Sequence, residues 1–327
     1  MGSTWGGDTQ LIRTVSRTFR PERPAAVAAV TREGDGTATA GASGDETFEI
    51  GSISKAITGM LYRDAAERGV VSPTTTLREL LPLDDHGQVG SVTLHSLAIH
   101  RSGLPGLPPG MRPLSRNVRF LLSGENPYGD SLAELLDQTR NVPVGAPRAR
   151  YSNLGFQLLG HAVAAAEGRT FAQLLHDSMG VEFSAPSRES DLRASDVIGH
   201  GRWGRPAAAW IGEAVAPAGG IRASVVTMRD FLRSVIDGTA PGLSALEPTS
   251  DFTPQVGIGA GWITVSHRGR PITWHNGSTG GFSSWIGVDR AAGVGLAVLS
   301  ARHSPVDRQG FRLLTELTTG TNPNEGR

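Results

Sequence analysis

The sequence predicts a mixed α/β (α+β) protein, with strands near both ends of the chain and helices between them. Three observations predict it: a hairpin pattern across residues 26–40, helical spacing of apolar residues in successive segments from 52 to 179, and strand-like runs between 261 and 300. The 327 residues suffice for one large domain or two, with a full core.

Over residues 9–20, Leu11, Ile12, Val15 and Phe19 share one helical face. Segments 26–30 and 37–40 flank Glu33-Gly34-Asp35-Gly36, and glycine there permits the tight turn of a hairpin. From Ser52 the period becomes helical through Ile53, Ala56, Ile57, Met60 and Leu61, with Gly69 as a stop, so Ser52 opens a helix. Further helical signals cover 76–81, 93–99, 131–139, 153–167 and 171–179. Segment 104–130 is rich in proline and glycine and long for a connector, which makes it a candidate cleft wall with Trp203, Trp210 and Trp262. Residues 184–216 are also irregular. Pro217-Ala218-Gly219-Gly220 leads to a helix over 225–236, and strand patterns follow at 261–266, 272–275, 284–288 and 295–300. A last helix over 305–318 packs back on the sheet, and 320–327 reads as a frayed tail.

Composition narrows the function. The chain has 31 basic and 31 acidic side chains, so no net field draws nucleic acid or an anionic membrane, and a small molecule is the expected partner. The absence of cysteine removes thiol nucleophiles, thiolate metal sites and disulfides. Leu11, Ile12, Val15 and Phe19 are interrupted by Arg13, Arg17 and Arg20, unlike the apolar core of an export signal, so a cytoplasmic location is expected.

One residue stands apart. Thirty cations are arginine and only Lys55 is lysine, three positions after a serine in Gly51-Ser52-Ile53-Ser54-Lys55. A partly buried ammonium gives up its proton near neutral pH, which a guanidinium does not. Ser-x-x-Lys on a helix places hydroxyl and amine on adjacent turns of one face. At the helix start, free N–H groups and the positive dipole end also favour charge on an attacked carbonyl oxygen. Alone the spacing is weak evidence, since Ser52 also suits a helix cap. Tyr151-Ser152-Asn153 opens an apolar helix and His275-Asn276-Gly277 ends a strand; separately these read as a core aromatic at a helix entry and a satisfied histidine.

In order and spacing, Ser52-x-x-Lys55, Tyr151-x-Asn153 and His275-x-Gly277 resemble the three motifs of the serine β-lactamase and penicillin-binding-protein superfamily. The resemblance is to the branch of class C β-lactamases, D-alanyl-D-alanine peptidases and β-lactamase-like esterases. Supporting phrases are Thr93-Leu94-His95-Ser96-Leu97, His100-Arg101-Ser102-Gly103-Leu104-Pro105, Pro217-Ala218-Gly219-Gly220-Ile221 and Gly280-Gly281-Phe282-Ser283-Ser284.

The resemblance implies a β-lactamase/transpeptidase-like fold: an antiparallel sheet flanked by helices, with a mostly helical lobe inserted. It divides the chain into an α/β lobe of residues 8–50 and 217–320, a helical lobe of 51–216, and flexible ends at 1–7 and 321–327. It also implies roles. Ser52 is the nucleophile, Lys55 and Tyr151 share the base and acid work, and Asn153 holds a substrate amide or orients Lys55. His275 keeps Tyr151 deprotonated or touches substrate, Gly277 lets the substrate approach the strand, and the N–H groups of Ser52 and Ser278 form the oxyanion hole.

No cofactor or metal is expected. Gly-x-Ser-x-Gly, clustered metal-ligand histidines and phosphate-loop patterns are all missing from the sequence. The expected function is a cytoplasmic serine esterase or transacylase in a biosynthetic pathway, with a small-molecule acyl donor and an amine or alcohol acceptor. A D-amino-acid peptidase or weak β-lactamase is the alternative, and a catalytically silent binding or sensor module is the alternative of another class.

Overall fold

A computed structural model describes residues 4–111 and 129–320. Its centre is a nine-stranded sheet in the order β1-β3-β2-β11-β10-β9-β8-β7-β6, every pair antiparallel. The strands are β1 (Trp5–Gly7), β2 (Ala25–Val30), β3 (Asp35–Ala40), β6 (Ser250–Thr253), β7 (Val256–Ile258), β8 (Ile263–His267), β9 (Arg270–Ser278), β10 (Ser283–Asp289) and β11 (Val294–Ser300). The early hairpin joins the late strands through β2 and β11, with Ala28 opposite Ala297. The short strands β4 (Thr47–Glu49) and β5 (Arg222–Ser224) form a separate pair.

Strand β2, Ala25-Ala26-Val27-Ala28-Ala29-Val30, is buried along its whole length because both faces of the sheet are covered. Alternate side chains go to opposite faces. Ala26, Ala28 and Val30 join the larger core with helices α2 (Ile53–Glu67), α5 (Asn153–Ala166), α6 (Phe171–Met179) and α7 (Val225–Asp237). Ala25, Val27 and Ala29 join a second core with α1 (Thr9–Thr18) and α8 (Asp307–Gly320). Two short helices, α3 (Leu94–Ala98) and α4 (Leu132–Gln138), lie on the side of the larger core.

Several expectations are adjusted. Trp5–Gly7, expected to be part of a flexible end, forms the edge strand β1: Trp5 pairs with Ala40, and its indole N–H donates to the Phe19 carbonyl at 3.1 Å. The 76–81 helix shrinks to a 3-10 turn, Leu77–Glu79, because a Thr76/Glu79 capping box closes on three residues. The strand at 272–275 runs on to Ser278, placing His275 inside it. Trp262 is fully buried and is packing, whereas Trp203 is 84% exposed. Much of the 104–130 segment and the 321–327 tail lie outside the described residues.

Candidate active site

Gly51 makes the corner from which α2 starts. Its φ is +53°, and a Cβ there would lie 2.6 Å from the Ser278 nitrogen, so this close approach of loop to strand requires glycine. Ser52 occupies the N-cap of α2, yet its hydroxyl makes no capping bond. The hydroxyl is held instead by Lys55, whose Nζ donates to Ser52 Oγ at 3.1 Å.

Lys55 is fully buried. Its second polar partner is the Ala218 carbonyl, 2.5 Å from Nζ, carried on the π-helical turn Ala216–Gly220. The same turn accepts the Thr58 hydroxyl at the Pro217 carbonyl (2.8 Å), and the Ile221 N–H donates to Ser54 Oγ (3.2 Å), which fixes the turn against α2. Burial pushes the Lys55 ammonium down to about 7. Tyr151 places its ring centroid 4.9 Å from Nζ and reaches the surface with 37% exposure.

Tyr151 precedes the N-cap of α5. Ser152 supplies that cap, accepting the Gly155 N–H at 2.9 Å, and Asn153 is the first helical residue. His275 lies opposite Ile286 in the β9–β10 ladder, with its ring centroid 6.3 Å from that of Tyr151. Its Nδ1 is 2.6 Å from the Asn276 carbonyl oxygen, so the proton sits on Nδ1, and buried Nε2 has no partner among the described residues. Burial first, and the Lys55 charge second, push the imidazole down to about 4.

The edge of β9 beyond Trp274 has no partner on β8, since their pairing ends at Ile263–Trp274. On the other side Thr279 N–H donates to the Phe282 carbonyl, so Ser278–Ser283 is the adjacent non-hydrogen-bonded pair and the Ser278 N–H points away from β10. That N–H backs onto Gly51, next to the Ser52 N–H at the helix start, where intrahelical acceptors are absent.

Gly277 has a different reason from the expected one. A Cβ on it would meet the Ile50 carbonyl oxygen at 1.9 Å and Ser284 Oγ at 2.4 Å, so it packs β9 against the segment leading into Ser52, with its bare face turned to the interior.

Ser52, Lys55, Tyr151 and His275 thus form one cluster, with Asn153 heading the helix after Tyr151 and Ser278 flanking Gly51. Sequence reasoning missed the Ala218 carbonyl and the side chain of His100, whose ring lies 4.6 Å from that of Tyr151. A signal for the first was the apolar Pro-Ala-Gly-Gly run, and for the second a histidine just past a short helix.

The model of the family described as Beta-lactamase matches residues 11–318. The chain belongs to the beta-lactamase family. It is 26% identical over 289 residues to penicillin-binding protein 4 of Amycolatopsis lactamdurans, covering 78% of this chain and 72% of that protein. It is 23% identical over 302 residues to a beta-lactamase of Pseudomonas fluorescens, covering 79% and 80%. Among solved structures it is similar to a beta-lactamase from Sulfitobacter sp. EE-36, with TM-score 0.78, 20% identity and coverage of 95% and 98%. It is also similar to the D-alanine carboxypeptidase AmpC from Burkholderia cenocepacia, with TM-score 0.75, 21% identity and coverage of 94% and 99%. The beta-lactamase-family fold matches the sheet and helices described above, and members of this family are serine hydrolases of the beta-lactamase and carboxypeptidase type. No helix among the described residues is long and apolar enough to cross a membrane.

Proposed function

We propose that this protein is a serine acyl-enzyme esterase or acyltransferase acting on a small-molecule ester or amide. The observation that carries the reading is Lys55: fully buried, 3.1 Å from Ser52 Oγ, and with its pKa brought to about 7 by burial. A base near neutrality beside a hydroxyl is the requirement for activating serine. Neutral Lys55 takes the Ser52 proton as Oγ bonds to the substrate carbonyl carbon, and the N–H groups of Ser52 and Ser278 stabilise the oxyanion. The C–O or C–N bond then breaks, and the proton passes from Lys55 to the leaving atom, directly or through Tyr151. Water, an alcohol or an amine attacks the acyl-Ser52 carbonyl by the reverse route, giving hydrolysis or transfer. Asn153 orients Lys55 or a substrate amide.

Neutral His275 supports esters and uncharged amides as substrates, because its proton is committed to the Asn276 carbonyl and it offers no fixed cation to a substrate carboxylate. A second reading, D-amino-acid peptidase or weak β-lactamase, is favoured by the names of relatives: a penicillin-binding protein, a beta-lactamase and a D-alanine carboxypeptidase.

Intact-mass screening against esters, with and without amine acceptors, tests the proposal. Wild type is expected to gain an acyl mass on Ser52, while Ser52→Ala gains none and loses at least about 10³-fold in turnover. Retention of turnover by Ser52→Ala overturns it. Labelling by penicillin with no ester turnover supports the second reading, and no acylation by any probe supports a silent binding module.

A further inference from the structure

We infer that His100 is a positioning residue that holds Tyr151 in its place above Lys55. This rests on the acyl-enzyme reading of the site.

The segment containing Tyr151 has little regular structure of its own before α5 begins, and it is tied down by the segment 100–106. Four bonds do this. The Arg150 N–H donates to the His100 carbonyl at 2.9 Å, and the Asn153 N–H donates to the Gly106 carbonyl at 2.8 Å. The Ser152 hydroxyl donates to the Pro105 carbonyl at 2.7 Å, and the Ser152 N–H donates to His100 Nδ1 at 3.2 Å. The peptide N–H groups of both residues adjoining Tyr151 therefore end on one residue, His100. The fourth bond is the one in which 100–106 acts through a side chain.

The ring has a second contact. It lies 4.6 Å from the Tyr151 ring, centroid to centroid, tilted by 35°, and is backed by Phe156 at 4.8 Å and Phe252 at 6.1 Å. His100 is 2% exposed. Burial, and then the charges of Lys55 and His275, hold its pKa well below the usual range. A neutral ring that accepts at Nδ1 carries its proton on Nε2, so the bond to Ser152 persists across the working range of pH.

The backbone says why a side chain matters here. His100 has φ +57°, a left-handed conformation just beyond α3, where helices commonly end on glycine and where a Cβ is strained. Glycine would satisfy the backbone and would still present the carbonyl to Arg150. Histidine adds only its ring, and the ring's contacts run to Tyr151, Ser152, Phe156 and Phe252. A strained residue retained for its side chain is an observed outlier that points to function.

Two variants separate positioning from scaffolding. His100→Gly removes the strain together with the ring, and His100→Asn returns an acceptor near Nδ1 on a residue that tolerates left-handed backbone. With p-nitrophenyl butyrate as probe, His100→Gly should lose about 30-fold in kcat with KM within threefold, since a catalytic group displaced by about 1 Å costs up to ~100-fold. His100→Asn should recover most of that kcat. Wild-type kcat in His100→Gly, a loss confined to KM, or equal loss in both variants overturns the inference. Should His100→Gly not fold, a comparison of His100→Asn with His100→Leu decides: kcat higher in the acceptor-bearing variant upholds the inference, and equal kcat overturns it. Ser52→Ala run alongside separates the two levels. If it keeps wild-type turnover, the acyl-enzyme reading and the role of His100 fall together; if it is inactive and His100→Gly is not impaired, only the role of His100 falls.

Discussion

Lys55 and Arg222 are buried to the same extent, at 0% and 1% exposure, yet they are surrounded in opposite ways. Arg222 has carboxylates: Nη1 lies 3.1 Å from Glu49 and Nε 3.2 Å from Asp196, while Nη2 donates to the carbonyls of Thr47 and Val197 at 3.2 and 3.1 Å. Lys55 has a hydroxyl, a carbonyl and an aromatic ring. The guanidinium joins β4, β5 and the 196–197 segment into one unit. Among the described residues no anion pairs with the ammonium, and burial brings it to about 7. Partners, rather than depth, decide which buried cation is structural and which can exchange a proton.

The comparison breaks most directly at Lys55 itself. Lys55→Arg keeps a cation but removes the exchangeable proton, and acylation of Ser52 should fall about 10³-fold, within the range for loss of a general base; a mass-resolved time course measures it. Wild-type rates in that variant would mean the site needs charge alone. At the other cation, Arg222→Met strands Glu49 and Asp196 and should cost about 3–5 kcal/mol in urea unfolding. Burial already pushes the Glu49 carboxyl upward against the pull of Arg222, so Glu49 can take up a proton and keep the cost near the lower figure. Adding Glu49→Gln to that variant should restore part of the stability.

The smallest effect is on pH. In the proposed mechanism Lys55 acts unprotonated, so the acylation rate should rise with pH and level off above about 7. Two units below the midpoint the neutral fraction, and the rate, should be down by roughly 100-fold. His275, at about 4, and His100, well below its usual value, stay neutral over that span and add no second limb above pH 5. A profile flat from pH 5 to 8 would contradict the assignment of Lys55.

The parts of this picture that could be read from sequence are those in which chemistry sits on a short, regular spacing. Ser52 and Lys55 are one helical turn apart, and their meeting follows from helix geometry. Tyr151 and Asn153 flank a serine cap, which marks the helix start. What escaped depends on backbone brought from far away. The Ala218 carbonyl reaches Lys55 because a π-helical turn 163 residues on is pinned to α2, and the Pro-Ala-Gly-Gly run marks the turn without showing what it meets. Gly277 was expected to make room for substrate, but the group it makes room for is the carbonyl of Ile50, visible only once β9 and the Ser52 loop are in register. Strands β4 to β7, of three or four residues each, are too short to show an alternating pattern.

The pairing of β2 with β11 also sets a schedule. A ribosome releases Ser52 and Lys55 early, whereas Ser278 and the strand that closes the sheet against β2 emerge more than 200 residues later. Contacts this distant in sequence form slowly and after most of the chain is made. Ser52 therefore waits, without Ser278 beside Gly51, until the sheet is complete, and a nascent or truncated chain carries the serine without the residues that surround it in the finished fold.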